Sequence, residues 1–326
     1  LEVLDPEQNK YFTDSYIEEE FDLSNVMFVL TANYIDQIPD ALRDRLEIIN
    51  ISGYTEYEKL DIAKKHLIKN GLIEHGLTKH DITFSDEAIL AIIRNYTKEA
   101  GVRELERQIS TIFRKLATKI VKDKEKISKL KINDKDLELY LGKKKYEYND
   151  NEVSVIPGIV NGLAYTEFGG MILPIEVTYY KGKNDLILTG SLGDVMKESA
   201  QIALSYIKTH YKEFNIEYKT LESSDIHIHV PEGAVQKDGP SAGITLTSSI
   251  ISAFSNMPID KNIAMTGEMT LRGNILPVGG LKEKVIGAHR SNIKTILIPK
   301  KNERDLDDIP EDIKKDITFI LVEDYK

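Results

Sequence analysis

The hydrophobic period of this chain changes after residue 142, and the change limits what each part can fold into. After Gly101, the apolar residues Val102, Leu105, Ile109, Ile112, Leu116 and Ile120 recur at steps of three and four. That spacing lines one face of a helix and packs a helical layer rather than a sheet. Residues 142–150 (GKKKYEYND) are polar and aperiodic, which marks a linker, placed at 143–150. Beyond it, short β segments are expected at 158–165, 171–180 and 185–189, with turns at Gly169-Gly170 and Lys181-Gly182-Lys183-Asn184. A helix at 194–211 and a strand at 225–230 follow. Next come a glycine-rich loop, a helix from Ser241, a strand near 264–266, a helix from Leu281 and a strand at 295–298. Strands and helices in alternation make this part a mixed α/β domain.

The part before the helical layer reads differently. A continuous apolar run at 26–30 (VMFVL) suits a buried parallel strand, and 47–51 suits a second. Between them lie Thr31-Ala32-Asn33 and Pro39-Asp40-Ala41-Leu42-Arg43-Asp44-Arg45, where loops leave the carboxyl ends of strands and ligands bind in open α/β sheets. From residue 53 the pattern is helical: Thr55 with Glu58 makes a capping box ahead of Leu60, Ala63 and Leu67, and Ser85 caps a helix carrying Ile89, Ile92 and Ile93. The expected organisation is therefore an α/β segment at 1–52, a helical domain at 53–142, and an α+β domain at 151–326.

Composition removes several classes of function. A length of 326 residues with 41% hydrophobic content allows two or three cores. The absence of cysteine rules out disulfides, thiolate metal sites and a cysteine nucleophile, and fits a reducing compartment. No apolar run approaches the ~20 residues that span a bilayer and no signal peptide opens the chain, so the expected location is cytoplasmic, without membrane contact. The opening LEVLDPEQN reads as mid-domain sequence, so the chain is expected to be a fragment. A net charge of −10 argues against non-specific nucleic-acid binding, and the lysine runs at 122–126 and 143–145 read as solvated surface.

One stretch carries the chemistry. In Lys237-Asp238-Gly239-Pro240-Ser241-Ala242-Gly243, Gly239 permits unusual backbone and Pro240 suits a helix start. Ser241 then sits where free N–H groups and the positive end of the helix dipole favour an oxyanion. The plain alternative is that Ser241 is an N-cap. A serine nucleophile needs a base. His227 and His229 share one side of a strand, but no G-x-S-x-G elbow surrounds any serine. His66, His75, His80 and His210 fall in polar contexts, and His289 lies on a helix flank. Lysine is the other option: a helical wheel groups Lys284 with Leu281, Val285 and Ala288 and turns Glu283 away, while Lys282 on the stripe's shoulder stays possible. Such a lysine needs its pKa lowered by roughly 3 units to work near neutrality, and burial can do that.

These residues resemble a known family. The string DIHIHVPEGAVQKDGPSAG is similar to the proteolytic signature of the Lon proteases of bacterial type. The match continues in AMTGEMTLRG, LPVGGLKEK and AHR, and upstream in TGSLGDVMKES, KEAGVRELER, ISGYT and LEVLDPEQN, covering essentially the whole chain. The resemblance implies Ser241 as nucleophile and Lys284, rather than Lys282, as base. It further implies Thr266 as the hydroxyl that holds the lysine, and Asp238 as a loop acid of a closed-to-open switch. His227 and His229 become structural, and Gln236 stands where a proline is common.

The same resemblance makes the fold multidomain α/β: a partial AAA+ α/β segment, an all-α AAA+ lid and a Lon-type α+β proteolytic domain. Asn33 resembles sensor 1, Arg45 the arginine finger with Arg43 its rival, and Arg103 sensor 2. No G-x-x-x-x-G-K-[ST] occurs; Gly142-Lys143 and Gly182-Lys183 lack the rest of the pattern. ATP and Mg are thus expected for the full-length enzyme, with no nucleotide turnover by this chain alone and the unfoldase part upstream. The implied partners are unfolded polypeptides and a hexameric ring, with at most weak DNA contact and no metal site. Two rival readings are a phosphate-binding domain using the glycine-rich loop with Ser248 and Ser249, and a non-catalytic assembly module.

Overall fold

The computed structural model describes residues 2–32, 38–49, 51, 53–122, 129–146, 155–166, 169–231 and 237–326. It divides into two compact units, Leu1–Ser52 and Gly53–Lys326.

The first unit holds 3-10 turns at Glu2–Leu4 and Asn9–Tyr11, a small antiparallel ladder of β1 (Phe12–Thr13) with β2 (Glu20–Phe21), and one turn of helix, α1 (Asp40–Arg43). The strands expected at 26–30 and 47–51 do not form among its described residues. Met27 and Val29 are 87% and 80% exposed, and Ile49 is 77% exposed. An apolar run becomes a strand only when neighbouring strands take up its N–H and C=O groups, and this unit's described residues supply no such neighbour.

In the second unit, α2 (Glu56–Ile62), a π turn (Ala63–Leu67) and α3 (Ile68–Glu74) run on continuously, opened by the expected Thr55–Glu58 capping box. Next come β3 (Asp81–Phe84), α4 (Asp86–Tyr96), α5 (Arg103–Lys122), β4 (Lys129–Ile132) and α6 (Leu137–Leu141). The Ser85 hydroxyl accepts from Ala88 N as a cap of α4. The stripe on α5 closes this layer: Leu105, Ile109, Ile112 and Leu116 are buried against Ile89, Ile92 and Phe113. Periodicity does not announce the parallel pairing of β3 with β4, because each strand is short and the partners are far apart in sequence.

The remainder is a three-layer domain. In chain order it comprises β5 (Ile159–Thr166), β6 (Gly169–Lys181), β7 (Leu186–Thr189), α7 (Asp194–His210), α8 (Tyr218–Glu222) and β8 (Ser224–His229). There follow α9 (Gly243–Ser255), β9 (Ile263–Met265), β10 (Glu268–Met269), β11 (Ile275–Leu276), α10 (Leu281–Arg290), β12 (Thr295–Pro299), α11 (Glu311–Asp316) and β13 (Thr318–Val322). Seven strands form one mixed sheet in the order β13-β12-β9-β5-β6-β8-β7. One face buries Leu173, Ile175, Ile226 and Ile228 against Ala200, Ala203, Leu246 and Ile250 of α7 and α9. The other buries Leu163, Ala264, Ile296 and Ile298 against Leu281 and Val285 of α10 and Ile313 of α11. Alternate residues of β5 and β12 thus serve opposite cores, as the two-residue strand period requires. The serine and lysine singled out above lie on helices from opposite faces of this sheet.

Candidate active site

Ser241 follows a glycine in the left half of conformational space, Gly239 at φ 116°, and Pro240 then opens a 3-10 turn, Pro240–Ala242, that leads into α9. The cap positions of these two segments are Gly239 and Ala242. Ser241 therefore caps neither, and among the described residues its hydroxyl makes no hydrogen bond. Its carbonyl is held twice, by Gly267 N at 2.8 Å and by Thr266 Oγ1 at 3.3 Å.

Thr266 is fully buried just beyond the end of β9. Its hydroxyl donates to the Ser241 carbonyl and accepts from Lys284 Nζ at 3.3 Å. The wheel's two candidates separate clearly: Lys284 is 4% exposed among Leu281, Val285 and Ala288, whereas Lys282 is only half-buried. Burial pushes the Lys284 ammonium down to about 8. Three segments distant in sequence thus meet at Ser241, Thr266 and Lys284, joined through the Thr266 hydroxyl.

Glycines seat the helix that carries Lys284. A Cβ on Gly170 would lie 1.8 Å from the Glu283 carbonyl oxygen, and one on Gly287 would lie 2.3 Å from the Gly170 carbonyl. Gly170 is therefore not a turn residue but the floor on which α10 rests, inside β6. Asn302, 3% exposed, fixes the approach to that helix: its Oδ1 accepts from Val278 N and its Nδ2 donates to Val278 O, both at 2.9 Å. Neither role is visible in a string of residues, since each depends on a partner brought close by the fold.

Asp238 lies on the serine's loop but reaches α7. Its Oδ1 accepts from Met196 N at 3.0 Å and from Gly239 N at 2.9 Å. It thereby satisfies a first-turn N–H of α7 and sits at the positive end of that helix. The fit is close: a Cβ on Gly193 would lie 2.2 Å from the Asp238 carboxyl carbon. The strand-like bridge between Leu192 and Lys237 holds the same two segments side by side. Among the described residues, Asp238 makes no hydrogen bond to Ser241 or Lys284.

His227 and His229 both turn to one hydroxyl, Thr189 Oγ1, at 2.9 and 2.7 Å. Ser248 bonds Tyr325 Oη, and Ser249, fully buried, donates to the Leu246 carbonyl. These serines are committed within the core, so the phosphate-binding alternative loses its side-chain donors. Among the described residues, no group of three or more His, Asp and Glu side chains is arranged to hold a metal ion.

Asn33 lies outside the described residues. Arg45 is paired with Asp5 at 3.0 Å, and Arg103 is exposed at the first position of α5.

A family model described as the Lon protease (S16) C-terminal proteolytic domain matches residues 131–326, and a Lon protease AAA+ ATPase lid domain model matches 73–130. The chain belongs to the Lon protease family. It is 55% identical to the Lon protease of Mycoplasma mycoides subsp. mycoides over 326 residues, which is all of this chain and 41% of that protein. It is 54% identical to Lon protease 1 of Bacillus subtilis, over 98% of this chain and 41% of that relative. The Lon protease of Clostridioides difficile is also 54% identical, over 99% of this chain and 41% of its own length. The chain thus spans about two fifths of the Lon proteases it matches. The expected architecture of lid plus proteolytic α/β domain agrees with both family matches. Among the described residues, no helix is long and apolar enough to cross a membrane.

Proposed function

We propose that this chain carries the peptide-cleaving site of an ATP-dependent serine endopeptidase. The carrying observation is the buried chain from Lys284 Nζ through Thr266 Oγ1 to the Ser241 carbonyl. Ser241 Oγ attacks the peptide carbonyl while Lys284, in the unprotonated form that burial favours, takes the hydroxyl proton. The same lysine returns that proton to the leaving amine, and water resolves the acyl-enzyme. Backbone N–H groups at the start of the 3-10 turn stabilise the oxyanion. In the conformation described, the lysine donates to Thr266, and the serine hydroxyl makes no hydrogen bond among the described residues. Catalytic hydrogen bonds commonly tighten only when substrate is bound.

For the whole protein, the reading is a hexameric, cytoplasmic machine that feeds unfolded polypeptide to this site using Mg-ATP. The P-loop pattern does not occur in the sequence, and among the described residues Arg45 is paired with Asp5. No step of the chemistry is therefore routed through nucleotide, and Asn33, Arg45 and Arg103 are assigned sensing roles only in the complete assembly. Asp238 is assigned a switching role, supported by its place on the serine's own loop. The domain limits we favour are 53–142 for the lid and 151–326 for the protease, supported by the continuous apolar core from Ala63 to Tyr140.

A serine-directed acylating reagent tests the assignment. It should label the protein at Ser241, with labelling lost in Ser241→Ala and strongly slowed in Lys284→Ala. Undiminished labelling of Ser241→Ala would refute it.

A further inference from the structure

The Ser241 carbonyl is gripped by an element too small to hold itself. Gly267 N reaches that carbonyl at 2.8 Å from the foot of the β10–β11 hairpin, and the Gly267 carbonyl accepts in turn from Ile244 N at 3.1 Å. The hairpin pairs only Glu268 with Leu276 and Met269 with Ile275, as a two-stranded sheet of its own. A ladder of that size is marginal in water, so contacts on the hairpin's flanks must fix its place.

One flank is α9. A Cβ on Gly243 would lie 2.7 Å from Met269 N, and Thr247 Oγ1 donates to Met269 Sδ at 3.3 Å. The other flank is the segment 323–326 that follows β13. Ile275 N donates to the Glu323 carbonyl at 2.8 Å, Tyr325 N donates to the Gly273 carbonyl at 3.0 Å, and Asn274 bridges Asp324 between them. Tyr325 then returns to α9, where its Oη and Ser248 Oγ share a hydrogen bond at 2.6 Å. Ser248 lies five residues after Gly243, about 7.5 Å along the helix axis. Helix, hairpin and segment therefore form a ring of contacts, and the Tyr325–Ser248 bond closes it.

The surroundings set that hydroxyl apart. Tyr206 and Phe214 meet the Tyr325 ring edge-on, with centroids 5.8 and 5.9 Å away. Burial pushes the Tyr325 hydroxyl up to about 12, so it keeps its proton at neutral pH. The Tyr206 hydroxyl in the same cluster is buried with no partner among the described residues. One tyrosine hydroxyl is thus tied to the helix that follows Ser241, and its neighbour is tied to nothing.

We propose that Tyr325 is a positioning residue for the nucleophile. Through its hydroxyl on Ser248 it clamps the β10–β11 hairpin against α9, which fixes Gly267 and with it the carbonyl and side-chain direction of Ser241. This rests on Ser241 being the nucleophile. A misplaced nucleophile slows the chemical step, and because Tyr325 acts through the hairpin, substrate binding is untouched.

The test uses the full-length protein and a short unstructured peptide substrate, with variants Tyr325→Phe, Ser248→Ala, the two combined, Tyr206→Phe and Ser241→Ala. Tyr325→Phe and Ser248→Ala should each lower kcat per folded molecule by about 3- to 30-fold, the range expected when a coupling contact is cut. KM should stay within about twofold of the parent. The combined variant should fall no further than the weaker single variant, within about twofold, because both changes remove one bond. Tyr206→Phe, which deletes the unbonded hydroxyl, should keep the parental kcat. With Ser241→Ala inactive, a parental kcat in Tyr325→Phe, or losses that multiply in the combined variant, would overturn the proposal. A fall in kcat fully matched by unfolded protein, or an equal fall in Tyr206→Phe, would overturn it as well. Full activity in Ser241→Ala would instead remove the nucleophile assignment on which the proposal stands.

Discussion

Replacing Lys284 by methionine should make the protein more stable at neutral pH while destroying its activity. The side chain is 4% exposed and burial holds its pKa at about 8, against 10.5 in the unfolded chain. A difference of about 2.5 units corresponds to about 3 kcal/mol of burial penalty on the charged form. Methionine matches the shape without the charge, but leaves Thr266 Oγ1 without its donor, which costs about 1 kcal/mol. The net expectation is a gain of about 2 kcal/mol at pH 7. The sign of the pH dependence follows from proton binding. Between about pH 8 and 10.5 the unfolded parent holds the proton that the folded parent has released, so parental stability rises with pH. The penalty is fully present below pH 8, and the variant's advantage should shrink towards zero by about pH 10. Urea unfolding followed by far-ultraviolet circular dichroism at pH 7 and pH 10 measures both values. A variant less stable than the parent at pH 7, or an advantage that does not change with pH, would refute the claim that burial lowers the Lys284 pKa.

Four further substitutions probe the framework. Gly170→Ala should force α10 away from β6 and cost about 1–3 kcal/mol, with a matching loss of Ser241 acylation, whereas Gly279→Ala, which meets nothing within 4 Å, should stay within about 0.5 kcal/mol of the parent in the same unfolding assay. Asn302→Ala removes both bonds to the Val278 backbone and should lower stability by about 2 kcal/mol; a change under about 0.5 kcal/mol would show that the loop before α10 does not depend on it. Asp238→Ala uncaps the first turn of α7 and should cost about 1 kcal/mol, read as a lower melting temperature, and an unchanged value would mean the cap contributes nothing.

Much of the proteolytic domain is legible from pattern alone. The segments expected at 158–165 and 194–211 are found as Ile159–Thr166 and Asp194–His210, because strong apolar periodicity, glycine turns and burial agree there. The capping signals at Thr55 and Ser85 also take the form their spacing requires, since a cap is decided by residues only three apart. What escapes local reading is whatever needs a distant partner. The run VMFVL has strand composition, yet remains exposed where its unit's described residues offer no ladder. Gly170 looks like half of a turn because the helix that demands it lies more than a hundred residues onward.

The candidate site shows the same division. The wheel narrows the base to two lysines on one stripe; the family resemblance prefers Lys284, and in the fold it is 4% exposed while Lys282 is half-buried. Lys59 is equally buried, yet it sits among charged and polar neighbours in sequence with nothing nearby to mark it. Lys284 lies beside Thr266 and the serine's loop, whereas Lys59, on α2, lines a cleft with Arg290 from the last turn of α10.

The most direct test of the account is the pH–rate profile of peptide cleavage for the parent, Ser241→Ala, Lys284→Ala and Lys284→Arg. A rise in kcat/KM governed by a group titrating near pH 8 in the parent, with all three variants essentially inactive, is the predicted result. Full activity in either Lys284 variant would contradict it.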